Sequence, residues 1–128
     1  MESLEPFEKE LLYWLAETKA YQVKPSLVGR WILGYMTAHG RASPAELFRN
    51  YSRFINRVRM IDRRYKPPRY HSFYNLVWVL IREGLLVRAG SEPASRPWLH
   101  ERVLLELAPG AESSPVWENP WAYIKGRR

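Results

Sequence analysis

The chain has 128 residues and a net charge of +7, with 20 Lys/Arg against 13 Asp/Glu and no cysteine. That length suits one domain around one hydrophobic core, and the missing cysteines exclude disulfides, thiolate zinc sites and a cysteine nucleophile, as in a reducing, cytoplasmic setting. Four glutamates in the first ten residues are unlike a secretory leader, and the longest mostly apolar stretches, Leu27–Ala38 and Phe73–Ile81, fall short of the roughly 20 residues of a membrane helix, so a soluble protein is expected.

The charge is unevenly placed. Residues 1–40 hold four Lys/Arg against five Glu, residues 41–69 nine against Glu46 and Asp62, and residues 70–128 seven against six. The excess therefore sits in the middle segment. Fifteen of the 20 bases are arginine, whose planar forks suit phosphate and stack on flat groups. The pattern points to a polyanion partner, with a plainly solvated basic face as the alternative.

In chain order, Glu5-Pro6 opens a helix expected over about Pro6–Tyr21, with Phe7, Leu11, Trp14, Leu15 and Thr18 on one stripe. Lys24-Pro25-Ser26 breaks it. A second helix follows over Ser26–His39, with a broad apolar face of Leu27, Val28, Trp31, Ile32, Tyr35 and Met36. Gly29 and Gly34 weaken that helix and imply close packing, and Gly40 ends it as a left-handed cap.

Ser43-Pro44-Ala45-Glu46 is a capping box with proline at the first helical position. It starts a helix expected over Pro44–Tyr65, with Leu47, Phe48, Tyr51, Phe54, Ile55, Val58 and Ile61 inward. Arg49, Arg53 and Arg57 recur every four residues along an outer face, with Arg59 and Arg63 beside them. Lys66-Pro67-Pro68 stops the run. A shorter helix is expected over Ser72–Glu83, with Ser72 as N-cap, Phe73, Leu76, Val77, Leu80 and Ile81 buried, and Gly84 closing it. Leu85–Arg88 and Glu101–Leu107 read as the strands of a hairpin around a turn-rich tip, Ala89–Leu99. The remainder is a tail with Trp117, Trp121 and Tyr123 among prolines. It is suited to docking on this chain or on a twin subunit, and the four-residue gap between its tryptophans suits one helical face.

"HGRASPAEL" and "SFYNLVWVLIREGLLVRAG", closed by Gly84-Leu85-Leu86-Val87 and followed by "ERVLLEL", resemble a winged helix-turn-helix domain of the broad ArsR, MarR and PadR type over Leu27–Leu107. The resemblance implies a mainly α fold with a small β-hairpin: a three-helix core plus wing, an added N-terminal helix and an extended aromatic C-terminal tail. Residues 1–25 would then be the added helix and a dimerisation element, 26–108 the winged-helix domain and 109–128 the tail. Such domains place their last core helix in the major groove and the wing on backbone. The resemblance thus implies a reading face of Tyr74, Asn75, Trp78 and Arg82 flanked by Arg69 and His71, with Arg88 and Arg96 on the wing. Asn75 suits adenine and Arg82 suits guanine or phosphate. The third helix is unusually long for the family, and most bases lie on it, so Arg49, Arg53 and Arg57, with Arg63 and Arg64 beyond, compete as the DNA-facing element.

His39, His71 and His100 sit on separate elements, so no metal site is expected, and no cofactor or nucleophile motif is present. Asp62 sits between arginines and suits a local ion pair. The leading expectation is a homodimeric duplex-DNA-binding regulator without enzymatic activity. Its alternatives are a winged helix that docks a protein partner, and RNA or single-strand binding through Tyr51, Tyr65, Tyr70 and Trp78.

Overall fold

The structure, a computed structural model, describes residues 4–18, 25–91 and 103–125. It is mainly helical with a small antiparallel sheet, in the order α1 (Pro6–Thr18), α2 (Pro25–His39), β1 (Arg41–Ala42), α3 (Pro44–Ile61), α4 (Tyr70–Arg82), β2 (Leu86–Ser91), β3 (Val103–Leu107) and α5 (Pro120–Lys125). Short 3-10 turns at Ala111–Ser113 and Pro115–Glu118 lead into α5. Tyr21 and Lys24, and with them the expected end of the first helix, lie outside the described residues, as do Arg96, His100 and most of the hairpin tip.

The broad apolar face of α2 makes it the central helix, with Leu27, Trp31 and Ile32 fully buried. Its two glycines admit close neighbours. A Cβ on Gly29 would stand 2.0 Å from the Trp117 carbonyl oxygen, and one on Gly34 would stand 2.4 Å from the Phe7 ring. Contact with α1 on one side and the C-terminal segment on the other therefore offsets a helix-propensity cost of up to about 1 kcal/mol per glycine. Glu8 anchors α1 further: one carboxylate oxygen accepts from the Trp31 indole at 2.9 Å, the other from the Glu5 backbone N–H at 3.1 Å.

The tail docks on its own chain, one of the two dockings expected of it, but as short helical turns packed on α2 and α4 rather than as an extended segment. Trp117 is buried and donates to the Ala111 carbonyl at 2.7 Å. Trp117 and Trp121 do not share a helical face, because the first lies in a 3-10 turn and the second in α5.

Ser43 caps α3 as expected, its hydroxyl accepting from the Glu46 N–H at 3.1 Å. The other half of the box goes elsewhere: the Glu46 carboxylate accepts from the Tyr35 hydroxyl at 2.6 Å. The helix ends at Ile61 rather than Tyr65. Asp62 is extended, and its side chain accepts from the Arg64 N–H at 3.0 Å, a local bond that competes with the helical ladder. Ile61, expected inside, is 76% exposed because α3 stops there. The next helix starts earlier than expected, at Tyr70. Arg69 rather than Ser72 is its N-cap, and Val79 joins the buried set. Gly84, at φ 80°, closes it: the Leu85 N–H donates to Leu80 and the Gly84 N–H to Ile81, the Schellman pattern.

The hairpin is part of a three-stranded sheet in the order β1-β3-β2. The unexpected member is β1, which pairs Arg41 with Glu106 and Ala42 with Leu105. The β2–β3 register shifts between Arg88 and Gly90, so Ala89 forms a bulge at the start of the tip.

Candidate nucleic-acid interface

His71, Asn75, Trp78 and Arg82 fall at steps of four, three and four residues, which places them on one face of α4. All four are exposed, Trp78 at 60%. Phe73, Leu76, Val77 and Leu80 hold the opposite face in the core. Tyr74 is half-buried at the edge of the face, stacked on Tyr70 with ring centres 4.3 Å apart. Phe48 of α3 packs edge-on against Tyr70 and Phe73, so this aromatic seam fixes α4 against α3. Arg82 is tied back: it donates to the Tyr123 carbonyl of α5 at 3.2 Å and lies 3.7 Å from Glu83.

Arg69 is exposed at the N-cap of α4, and no side chain caps that helix. The first turn, without a side-chain cap, thus lies at the end of the helix where Arg69, His71 and the exposed Lys66 gather and where the helix dipole favours an anion. Lys66, which sequence marked only as a helix stop, lies beside Arg69 here. The signal was the pair of prolines between it and Arg69, which hold the linker extended. Arg88 is exposed on β2, just before the bulge.

The arginines of α3 form a different surface. Each four-residue step turns a helix by about 40° beyond a full circle, so the row Arg49, Arg53, Arg57 drifts toward Ile61 and the groove between α1 and α3. The α4 contact lies instead on the Phe48 side. Arg49 and Arg53 are exposed and Arg57 half-buried. Arg53 and Arg57 each already engage a neighbour. Arg64 is clamped on Asp62 through contacts of 2.7 and 2.9 Å, the expected local pair, while Arg63 is exposed. Those hydrogen bonds hold the Asp62 carboxyl below its ordinary range. Arg59 donates to the Tyr65 carbonyl at 2.9 Å and so braces the turn instead of extending the stripe.

Of the aromatics suited to single-strand stacking, Tyr51 and Tyr65 are buried and offer no face to a base, whereas Tyr70 and Trp78 remain exposed. Burial pushes the Tyr51 phenol above its ordinary range. Tyr35 is raised by burial first, then by its bond to Glu46; it also accepts from the Asn50 amide at 3.1 Å.

Among the described residues no cluster of His, Asp or Glu could hold a metal ion, and no helix is long and apolar enough to cross a membrane. Compared with family models, curated proteins and solved structures, the chain matches none.

Proposed function

We propose that this chain is a winged-helix protein that binds duplex DNA as a homodimeric transcriptional regulator. The observation that carries this reading is the path of the chain. A helix, a short strand, two helices and a hairpin follow one another, and the short strand pairs with the far strand of the hairpin. In that arrangement α4 enters the major groove. Its uncapped amino terminus, with Arg69 and Lys66, receives a phosphate, Asn75 reaches base edges, and Arg88 on the wing meets backbone. For a second copy, exposed Tyr13 and Ile61 join Leu12, Ala16, Val58 and Tyr65 in lining a largely apolar groove.

Fluorescence anisotropy on a labelled duplex over a salt series tests this reading. The logarithm of affinity should fall with the logarithm of salt by about 0.9 per phosphate contacted. Unlabelled duplex should compete better than single-stranded DNA or RNA of the same length. A flat salt dependence, or no duplex binding at low salt, rejects it.

One observation favours a second reading, in which α4 docks a protein partner. Its exposed face centres on Trp78, and Arg82 is held by Tyr123 rather than projecting. A tight complex with a defined protein that shields Trp78 and excludes duplex would support that reading over the first.

A further inference from the structure

We infer that two copies of this chain pair face to face over the groove between α1 and α3, about a twofold axis that runs along the groove, so that α1 of each copy lies on α3 of its partner. The inference deepens the homodimer part of the reading above and rests on it; duplex binding plays no part in it.

The groove holds about 530 Å³, with Lys9, Tyr13 and Ala16 on its α1 wall and Val58 and Ile61 on its α3 wall. Tyr13 is 75% exposed, Ile61 76%, and Met60, next to Ile61 in the chain, 84%; these are the three most exposed large apolar side chains among the described residues. Such a concentration of apolar surface marks a contact with another molecule.

The charges beside it say which molecule. On α1, successive residues are about 100° apart, so Glu10 and Glu17 lie on the side of Tyr13 turned away from the groove, while Lys9 and Ala16 lie on the side turned toward it. Glu10 accordingly lines the hollow on the opposite flank of α1, beside Trp14. On α3, the row through Arg53 and Arg57 borders the groove wall at Ile61. The face therefore runs from a carboxylate edge, through Tyr13, the groove and Ile61, to a guanidinium edge. Arg53 and Arg57 each keep a neighbour within the fold, but an arginine has five donors and can face a further carboxylate.

A surface with one acidic and one basic edge complements itself, as an isologous interface requires. A twofold axis in the contact plane can lie across the groove or along it. Across it, each helix meets its own twin, carboxylates opposing carboxylates and guanidinium groups opposing guanidinium groups, which is costly. Along it, α1 meets the partner's α3 and each edge meets its opposite. Both helices start beside the end of α2, α1 through Glu5–His39 and α3 through Glu46–Tyr35, so they run in the same sense. The rotation about the groove preserves height, and Glu10 thus arrives near the partner's Arg57, Tyr13 near the partner's Ile61, and Lys9 near the partner's Asp62. The arginine row, which the α4 contact leaves unused, acquires a role in choosing the partner.

Light scattering after size exclusion, over a concentration series of the full chain, tests the axis through charge swaps. The parent should be a dimer. Glu10→Lys/Glu17→Lys and Arg53→Glu/Arg57→Glu should each weaken self-association by more than about tenfold, since the twofold repeats every reversal. Mixed in equal amounts, the two variants should dimerise again, because each then presents the edge the other lacks. If half-buried Arg57 does not tolerate the change, Arg53→Glu alone takes that side. Ile61→Lys should be monomeric with the parent's circular dichroism, its side chain being already exposed. A parent monomeric up to roughly 100 μM overturns the homodimer reading and the inference together, and leaves the groove to a different protein. A dimeric parent whose variants stay dimeric, whose mixture fails to re-form the dimer, or whose Ile61→Lys still pairs, overturns this interface alone and leaves homodimerisation to another surface.

Discussion

Helices α3 and α4 lie side by side and are finished differently. α3 carries a serine cap at one end and an Asp62–Arg64 clamp at the other, and several of its arginines are engaged within the fold. α4 is longer on aromatic surface and poorer in charge, and its amino terminus has no side-chain cap. A cap contributes typically about 1 kcal/mol, so leaving α4 open forgoes stability at the end where Lys66, Arg69 and His71 gather. The contrast suggests that α3 is optimised for the fold and α4 keeps its donors for something outside it.

The variant that strains this contrast most is Arg69→Asp. An aspartate at that N-cap supplies the missing acceptor and should stabilise the protein by about 1 kcal/mol, or roughly 3–6 °C in Tm. It also replaces a cation with an anion at the proposed phosphate contact, so duplex affinity at moderate salt should fall more than about tenfold, with a shallower salt slope. A melt and an anisotropy titration read the two signs. Stability and binding moving together would dissolve the distinction between the helices.

Ser43→Ala is the converse at α3. Losing the Ser43 acceptor should cost about 1 kcal/mol in urea denaturation and leave duplex affinity within about twofold, since no phosphate contact is removed. Trp78→Ala is gentler. Because Trp78 is 60% exposed, stability should change by less than about 0.5 kcal/mol. A severalfold loss of duplex affinity would place Trp78 against DNA. An unchanged titration would leave its exposed ring to a protein partner.

The features legible in sequence were those set by local chemistry. Ser43 and Gly84 announce a start and a stop whatever surrounds them, and the glycines of α2 implied close packing, which Phe7 and Trp117 supply. What escaped was decided at longer range or by a single competing bond. β1 has two residues, too few to show any alternation, and exists because Glu106 and Leu105 return beside it. Arginine-rich residues 59–65 read as helix, yet Asp62 ends it by bonding to Arg64. The tail's tryptophans looked like one surface because spacing alone cannot reveal that Trp117 packs on the Gly29 backbone. For the candidate site, the resemblance grouped Tyr74 with Asn75, Trp78 and Arg82 and left His71 as a flank, whereas the helix puts His71 on the exposed face and Tyr74, stacked on Tyr70, at its half-buried edge. Sequence could not show that Tyr123 holds Arg82, or that the hydroxyl of Tyr51, one of several inward aromatics, has no hydrogen-bond partner among the described residues.

The smallest effect expected from this comparison lies at the far end of α3, in the response to acid. Arg64 lowers the Asp62 carboxyl below its ordinary value, near 3.9 in an unfolded chain. A carboxyl with a depressed folded-state pKa binds protons less readily than the unfolded chain does. Its contribution is therefore complete above that ordinary value and disappears as pH falls through the lower, folded-state value. Because the pair is solvent-exposed, screening keeps the effect slight. Asp62→Asn should thus be marginally less stable than the parent at neutral pH, and the two should converge in strong acid, in urea melts at matched ionic strength. A gap that persists unchanged below pH ~2 would mean that the turn geometry at Asp62, rather than its charge on Arg64, is what ends α3.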